Sequence, residues 1–326
     1  MGLGSIGSRH AEVARGLLPG LRIAAWRHRL APAHPPVDLC VATLDDALAF
    51  QPDAAVIANP ASHRLTAALP LASADVHLLL EKPMATHSDA AVELVARCNR
   101  QPVLMVGYNL RFLPSLQQFR RLIHDGCIGR VLSVRAETGQ YLPSWRPSAD
   151  YRETVSAQQA LGGGPFLELS HEIDYLRWIF GRVHWVSAMA RRHSSLEIDV
   201  DDSAYLLLGF SALDQPGPIA SLTLDFIRHD TTRRCSAIGD SGTLRWDAVA
   251  GAVDLLPAGA TAWERLFTDS SGMAQTYIDE WRSFLSAIAS RAAPAVSGTD
   301  GLAVLRVIDA ARRSAETNAA ATQVLP

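Results

Sequence analysis

The chain has 326 residues, which suits about two globular domains, and its 48% apolar and 19% charged residues are typical of a folded protein. The formal net charge of −3 gives no electrostatic case for nucleic-acid binding, and no run of about 18 apolar residues is present that would span a bilayer. Because no signal peptide and no metal-type spacing of the four cysteines is visible, we expect a soluble, cytoplasmic protein without a metal or a membrane partner.

Strand-like and helix-like runs alternate over the first hundred residues. Helices are predicted at 6–18, 43–50, 62–73 and 87–99, and short apolar strands at 21–26, 37–41, 54–58, 76–80 and 103–106. This alternation predicts an α/β fold with a doubly wound parallel sheet and right-handed crossovers.

The pattern changes after about residue 112. Longer strands with alternating apolar residues are predicted at 131–139, 184–192, 203–210, 219–227, 234–239 and 243–247, and helices at 113–124, 164–179, 275–291 and 300–318. Such strands favour an open, mostly antiparallel sheet. We therefore divide the chain into two domains, residues 1–112 and residues 113–326.

A glycine-rich motif opens the first predicted helix. Gly2, Gly4 and Gly7 form the pattern G-x-G-x-x-G, with Ser5 and Ile6 inside it. In this pattern the first glycine allows a tight turn, the second lets the backbone approach a pyrophosphate, and the third permits close packing of helix on strand. The positive end of the helix then stabilises the bound phosphates, so the motif predicts a dinucleotide site.

The motif normally follows the central first strand of the sheet, and here only Met1 precedes it. Loss of that strand would remove hydrogen-bonding partners from both neighbouring strands. We expect the natural product to begin upstream with a short apolar strand, and an intact mass equal to residues 1–326 would contradict this. A chain that starts at Met1 would put its cofactor affinity in doubt.

Cofactor choice is expected to depend on residues about twenty positions after Gly7, where an acidic residue would bind the ribose 2′-hydroxyl of NAD. This sequence has Arg27 and Arg29 there. An arginine matches the 2′-phosphate of NADP in charge and geometry, so NADP is favoured over NAD. The alternative is that both arginines are solvated loop residues.

Four further motifs follow strands or open a helix. They are Asn59-Pro60-x-x-His63, Glu81-Lys82-Pro83, Gly107-Tyr108-Asn109-x-Arg111-Phe112, and a run from Gly162-Gly163-Gly164 through Glu168 and His171 to Asp174. Together with the glycine motif, and in this order, they make nearly the whole chain resemble the Gfo/Idh/MocA oxidoreductase family.

This resemblance implies a Rossmann domain that binds the dinucleotide and a second domain for substrate binding and oligomerisation. It implies hydride transfer between a nicotinamide cofactor and a hydroxyl or keto carbon of a small, sugar-like substrate, namely a sugar, a cyclitol or a derivative. It also implies a homodimer or homotetramer formed through the open sheet face.

The resemblance assigns roles to individual residues. Lys82 is expected to bind and polarise the substrate oxygen, and His171 to be the acid or base, a role that suits an imidazole. Asn59, Pro60 and His63 are expected on the nicotinamide side of the cofactor site, with Glu81 and Lys82 beside them.

The sequence departs from the family pattern just before His171. Many members have an aspartate four residues earlier, where this chain has Leu167, and the carboxylate is Glu168, three residues earlier. Because positions three apart share one face of a helix, Glu168 is still expected to assist His171.

On the substrate side we expect Tyr108 and Arg111, followed by Trp145, Arg146 and Tyr151, because aromatic and basic side chains stack on and hydrogen-bond to sugars. The alternative for the segment 141–152 is a loop packed by its own aromatic residues. Asp174 is expected either to bind substrate or to satisfy buried backbone groups.

Two other functions remain open on the same scaffold. One is a non-catalytic protein that senses a dinucleotide, although such a sensor needs neither Lys82 nor His171. The other is glycoside cleavage by transient oxidation, which would cleave a glycoside without net reduction of NADP.

Overall fold

The computed structural model describes residues 2–27, 33, 36–99, 101–211 and 216–325. Its contacts divide the chain into unit 1, Met1–Asn109 with Ala274–Leu305, and unit 2, Leu110–Met273 with Arg306–Pro326. The main boundary lies close to the predicted one. The predicted division differs at residues 274–305, which it assigned to the second domain and which have their contacts in unit 1.

The strands and helices follow the predicted order over most of the chain. The strands are β1 (Ala24–Trp26), β2 (Leu39–Val41), β3 (Ala54–Ile57), β4 (His77–Leu80), β5 (Leu104–Val106), β6 (Val131–Gly139), β7 (Val183–Arg191), β8 (Ser203–Ser211), β9 (Pro216–Asp225), β10 (Thr232–Gly239), β11 (Gly242–Asp247), β12 (Ala252–Pro257), β13 (Glu264–Thr268) and β14 (Thr322–Gln323). The α-helices are α1 (Ser5–Leu17), α2 (Leu44–Ala49), α3 (Arg64–Ser73), α4 (Ser88–Arg97), α5 (Pro114–His124), α6 (Leu142–Trp145), α7 (Pro165–Glu168), α8 (His171–Phe180), α9 (Gly272–Ser290) and α10 (Gly298–Glu316). Within the described ranges, no helix is long and apolar enough to cross a membrane.

Unit 1 contains the parallel strands that the sequence predicts. β1 pairs with β2 in one sheet, and β3, β4 and β5 pair in that order in another. All of these pairings are parallel, which confirms the Rossmann prediction. Among the described residues, no strand joins the sheet of β1 and β2 to the sheet of β3, β4 and β5.

Helix α9 belongs to unit 1 because one of its faces is buried there. Trp281 is 6% exposed and donates a hydrogen bond from Nε1 to Nδ1 of His10 on α1, at 3.0 Å. Phe284, one turn further on, is fully buried. Sequence periodicity gives the helix but not its partner, because the contact joins residues that are far apart in the chain.

Unit 2 is built on one large sheet, with strand order β13-β12-β11-β10-β6-β9-β8-β7-β14 among the described residues. The pair β6 and β9 is parallel and the other pairs are antiparallel, which confirms the predicted mostly antiparallel sheet. Strands β12, β13 and β14 were not predicted. β13 is almost wholly exposed and β14 has two residues, so neither has the apolar alternation that identifies a strand.

The predicted helix over 164–179 is two helices, α7 and α8, with a turn at Leu169 and Ser170. Leu169 takes φ −100° and ψ 25°, away from helical values. The expectation that Glu168 and His171 share one face of a continuous helix is therefore wrong, because the two residues lie in different helices. Helix α8 is fixed by Tyr175, whose ring lies 5.3 Å from that of the fully buried Trp246 on β11.

Candidate active site

The glycine loop has the geometry that a dinucleotide requires. Gly2 has φ +74°, and a Cβ there would lie 3.0 Å from the backbone of Ala58 and Asn59. A Cβ on Gly7 would overlap the carbonyl oxygen of Gly2, so a side chain at position 7 would push the glycine loop away from the start of helix α1. A Cβ on Gly4 would meet no atom within 4 Å, which leaves the surface of this residue open to a ligand.

Helix α1 begins directly at this open surface. Its N-cap is Gly4, no side chain caps its first turn, and that turn contains no acidic residue. The first N–H groups of a helix lack intrahelical partners and carry a partial positive charge. Ser5 is exposed and Ile6 half-buried at this end. The residues present therefore fit the pyrophosphate of a dinucleotide.

The residues predicted to choose the cofactor follow β1. Arg27 is half-buried, and its backbone N–H donates to the carbonyl of Val41 at 2.9 Å, while Arg29 lies outside the described residues. The carboxylate of Asp38 accepts from the N–H of Ile23 at 2.7 Å and from Arg15 at 2.6 Å. These two hydrogen bonds lower the pKa of Asp38, so this carboxylate has a structural role beside β1.

The loop after β3 is closed by its own polar groups. The side-chain amide of Asn59 donates to the carbonyl of His63 at 2.8 Å, and Arg64 donates to the carbonyl of Asn59 at 2.9 Å. The side-chain oxygen of Asn59 is buried without a hydrogen-bond partner among the described residues. Pro60 precedes the turn and His63 is exposed. Asn59 thus offers a vacant acceptor for a ligand amide or hydroxyl.

The segment Glu81-Lys82-Pro83 follows β4 and contains a cis peptide bond before Pro83. Glu81 is 8% exposed, accepts a hydrogen bond from Nε2 of His10 at 2.9 Å, and accepts a second from the backbone N–H of Lys82 at 3.2 Å. Because Nδ1 of His10 accepts from Trp281, the imidazole proton lies on Nε2. Lys82 itself is half-buried.

Burial would raise the pKa of Glu81, but the hydrogen bond from His10 and the charges of Arg64 and Lys82 outweigh it and lower that pKa. Glu81 is therefore an anion beside Lys82, and its contacts fix the start of the Lys82 loop. Sequence reasoning identified Glu81 but missed His10, because its role depends on a partner 71 residues away.

A second carboxyl in unit 1 was also missed. Glu280 on α9 is fully buried, and neither of its carboxyl oxygens has a hydrogen-bond partner among the described residues. Burial, with the nearby charge of Glu81, raises the pKa of Glu280 well above its usual value. Burial thus favours the neutral, protonated form of this side chain.

Tyr108 and Asn109 lie in the interior of unit 1. Tyr108 is fully buried, and Asn109 is 3% exposed and donates from its side-chain amide to the hydroxyl of Thr276 at 2.8 Å. The structure thus buries both residues, and the expected place of Tyr108 on the substrate side stays a prediction.

Arg111 and Asp174, both in unit 2, form a buried ion pair. Nε of Arg111 donates to one carboxylate oxygen at 2.9 Å and Nη2 to the other at 2.6 Å. The two residues are 6% and 1% exposed. The bidentate pair uses two N–H donors of the guanidinium. This supports a structural role for Asp174 and disfavours Arg111 as a substrate ligand.

The triple glycine shapes the turn before α7. Gly162 and Gly164 have φ of +87° and +91°, and a Cβ on Gly163 would overlap the carbonyl oxygen of Val155. These positions require glycine for backbone reasons. The turn places α7, whose last residue Glu168 is half-buried, and α8 begins at His171, also half-buried.

Glu168 connects this turn to the aromatic segment before it. The hydroxyl of Ser156 donates to the Glu168 carboxylate at 2.6 Å. Ser156 also lines a small cleft with Trp145, Arg146 and Tyr151, so the structure brings these predicted substrate residues together.

The cleft residues also have contacts of their own. The indole of Trp145 donates to the carbonyl of Gln140 at 3.0 Å, and the hydroxyl of Tyr151 accepts from the N–H of Glu197 at 3.2 Å. Arg146 is exposed. Both interpretations of this segment, a sugar-binding edge and a self-packed loop, fit these contacts.

Within the part of the chain that the structure describes, no group of three or more histidine, cysteine, aspartate or glutamate side chains is placed to hold a metal ion.

Comparison with known protein families identifies both parts of the chain. Residues 1–108 match an oxidoreductase family described by its NAD-binding Rossmann fold, and residues 116–245 match the GFO/IDH/MocA C-terminal domain. The two matches cover separate, consecutive regions and belong to one family.

Relatives with named activities include sugar and cyclitol dehydrogenases. D-xylose dehydrogenase of Paenarthrobacter nicotinovorans is 31% identical over 153 residues, which are 43% of this chain and 38% of that protein. The chain thus spans less than half the length of this relative in the match. Myo-inositol 2-dehydrogenase of Thermotoga maritima is 25% identical over 273 residues, 81% of this chain and 78% of that protein.

Among solved structures, levoglucosan dehydrogenase in complex with NADH and levoglucosan is similar over 100% of this chain and 98% of its own. The TM-score is 0.84 and the sequence identity 20%, so this likeness establishes the fold.

Proposed function

The chain belongs to the Gfo/Idh/MocA family of oxidoreductases, and on this premise we propose that it is an NAD(P)-dependent dehydrogenase or reductase of a sugar, cyclitol or related compound. The observation that carries the proposal is the glycine loop. Gly2 and Gly7 are sterically required, and Gly4 faces open space at the start of a 13-residue helix. The named relatives act on xylose and inositol, which supports a polyhydroxylated substrate.

The chain's own residues are proposed to carry the proton chemistry. A bound nicotinamide cofactor supplies or accepts the hydride. Oxidation of a hydroxyl also releases a proton, and reduction takes one up. We assign the binding and polarising of the substrate oxygen to Lys82, whose loop is anchored through Glu81, and the proton transfer to His171.

Cofactor binding tests the glycine loop with a matched pair of variants. Gly4→Ala adds a methyl group where the protein has open space, and so does Gly16→Ala on the same helix. We expect both variants to fold, and Gly4→Ala to weaken binding of NADH and NADPH at least about tenfold, because the methyl group occupies the path of the pyrophosphate. Equal affinities of the two variants in a fluorescence titration would contradict a dinucleotide site at this loop.

Preference for NADP over NAD is proposed from Arg27 and Arg29. Arg27→Ala is expected to weaken NADPH binding about tenfold and leave NADH binding unchanged, because only NADPH has a 2′-phosphate to pair with the guanidinium. Arg22→Ala is the control, since Arg22 lies 5.0 Å over the ring of Phe50. Equal losses for the two cofactors on Arg27→Ala would remove the basis for NADP preference.

Turnover tests the catalytic assignment. Oxidation of D-xylose, myo-inositol and levoglucosan is followed with both oxidised cofactors. Lys82→Met and His171→Asn are expected to lower kcat at least about a hundredfold with cofactor binding retained, the usual size of a lost acid-base group. Tight cofactor binding without turnover of any polyol would favour the sensing function instead. A cleaved glycoside without net cofactor reduction would favour transient oxidation.

Assembly into a homodimer or homotetramer is proposed through the outer face of the unit 2 sheet. Met189, Tyr205, Leu207 and Ile219 lie on the adjacent strands β7, β8 and β9 and are 39–47% exposed. Met189 is directly opposite Tyr205, and Trp185 covers Gly209 on the same face. Contiguous exposed apolar side chains of this kind mark association surfaces. Leu207→Glu is expected to shift the mass measured by light scattering to that of the monomer, and an unchanged mass would exclude this face.

A further inference from the structure

Arg64 is a buried arginine that contacts two loops at one edge of a sheet in unit 1. It is the first residue of α3 and is 7% exposed. Its Nε donates a hydrogen bond to the carbonyl oxygen of Asn59 at 2.9 Å, and its Nη1 donates to the carbonyl oxygen of Pro83. Asn59 follows β3 and Pro83 follows β4, and these two strands are parallel neighbours. Because the carboxyl ends of parallel strands meet at one edge of a sheet, a single guanidinium joins both loops.

The chemistry of these contacts suits an arginine. Burial of a cation is costly unless its charge is compensated and its N–H groups are hydrogen-bonded. The carboxylate of Glu81 supplies the opposite charge, since the charge of Arg64 lowers the pKa of Glu81. The guanidinium presents its donors in a rigid planar fork, so it can hold two carbonyl oxygens at a fixed separation, whereas the ammonium group of a lysine is a compact charge on a flexible chain.

The backbone around Lys82 is held from both sides. Before it, the Glu81 carboxylate accepts a hydrogen bond from the N–H of Lys82 at 3.2 Å. After it, Arg64 binds the carbonyl of Pro83. The same guanidinium binds the carbonyl of Asn59, whose side-chain oxygen is buried without a hydrogen-bond partner among the described residues. Arg64 therefore connects the loop of the lysine that we assign to the substrate oxygen with the loop expected on the nicotinamide side.

We propose that Arg64 is a positioning residue, which holds the Asn59 loop and the Lys82 loop at the separation that hydride transfer requires. This inference rests on the proposed function and deepens it, because Arg64 acts on the reaction through the two loops. A displacement of reacting groups by about 1 Å costs about a hundredfold in rate. Loss of the connection should therefore lower kcat, while each loop can still bind its own ligand.

The test is a double-variant cycle with the polyol that the turnover assay finds to be oxidised. Arg64→Met keeps an unbranched side chain and removes both hydrogen bonds. We expect it to lower kcat about tenfold to a hundredfold, expressed per cofactor-binding site counted by fluorescence titration. In a Lys82→Met background, the same change should lower kcat less than about threefold, because the lysine that Arg64 positions is already absent.

Arg15→Met is the matched control. Arg15 also donates hydrogen bonds to two backbone carbonyls of unit 1, those of Leu21 and Pro36. Its loss should lower the thermal midpoint and leave kcat per cofactor-binding site unchanged, because neither carbonyl belongs to the Asn59 loop or the Lys82 loop.

Amide hydrogen exchange gives a second measurement that needs no turnover. Arg64→Met should speed exchange at least about tenfold in both 59–63 and 82–86, because each loop loses a hydrogen bond. Unchanged exchange in either segment would overturn the inference. So would an equal loss of kcat with and without Lys82, or the same loss of kcat per site in Arg15→Met. A wild-type chain that oxidises no polyol would contradict the proposed function alone, since exchange still reports whether Arg64 holds both loops.

Discussion

A variant that breaks the ion pair between Arg111 and Asp174 distinguishes a structural role of these residues from a substrate-binding role. Asp174→Asn keeps the shape of the side chain and removes its charge, so the buried guanidinium of Arg111 loses its carboxylate partner. Breaking a buried pair in this way costs about 3–5 kcal/mol of unfolding free energy. For a unit of this size, that lowers the thermal midpoint by about 6–20 °C.

The assay is thermal unfolding, measured beside the Michaelis constant for a polyol substrate. Asp230→Asn is the control, because its pair with Arg228 at 3.3 Å is solvent-exposed and exposed pairs contribute little. A double variant, Arg111→Met with Asp174→Leu, should be more stable than Asp174→Asn, because it leaves no buried charge. A normal midpoint for Asp174→Asn, together with a raised Michaelis constant, would refute the structural role and restore these residues to the substrate site.

Three further predictions concern buried groups. Burial raises the pKa of the Glu280 carboxyl, so this group keeps its proton in the folded chain at pH values, above about 4.5, where it loses that proton in the unfolded chain. Below about pH 4.5 the group is protonated in both states and does not lower stability. Above that pH the free energy of unfolding falls by up to about 1.4 kcal/mol per pH unit, until the pH reaches the pKa of the folded chain. Glu280→Gln should therefore flatten the decline in urea-unfolding free energy between pH 5 and 8, and an unchanged profile would show that Glu280 is ionised in the folded chain. Gly163→Ala should destabilise the fold by about 1–3 kcal/mol, because its methyl group meets the carbonyl oxygen of Val155, whereas Gly16→Ala should not destabilise it, and equal midpoints would contradict this. Burial also raises the pKa of the Cys235 thiol, so this thiol should not react in the native protein. Cys235→Ala should therefore leave the number of reactive thiols in the native protein unchanged and lower the number in the denatured protein by one. A lower number in the native variant would show that the Cys235 thiol is accessible.

The sequence predicted those parts of the fold that local patterns determine. The strands of unit 1 were found because short apolar runs alternate with helices, and β6 was predicted with its observed bounds because its apolar residues alternate. The glycine motif was predicted residue by residue, since a positive φ at Gly2 and the close approach of Gly7 to its carbonyl each exclude a side chain. Such constraints act within a few residues and leave a direct mark on the sequence.

The contacts that decide side-chain roles are of a different kind. Arg111 was expected to bind substrate because an arginine after a strand end is a suitable anion ligand, and only the fold shows that Asp174 already occupies its fork. The same holds for Glu81, which is fixed by His10 across 71 positions of the chain.

Glu168 shows how one short turn changes a prediction about chemistry. A continuous helix would place Glu168 and His171 on one face, and the turn at Leu169 separates them into α7 and α8. The carboxylate accepts a hydrogen bond from the hydroxyl of Ser156, which lines the cleft of Trp145, Arg146 and Tyr151. We expect this hydrogen bond to position the segment that carries these residues. Ser156→Ala should then alter the Michaelis constant of a polyol substrate more than it alters kcat, whereas a carboxylate that assists His171 directly would leave the Michaelis constant of that variant unchanged.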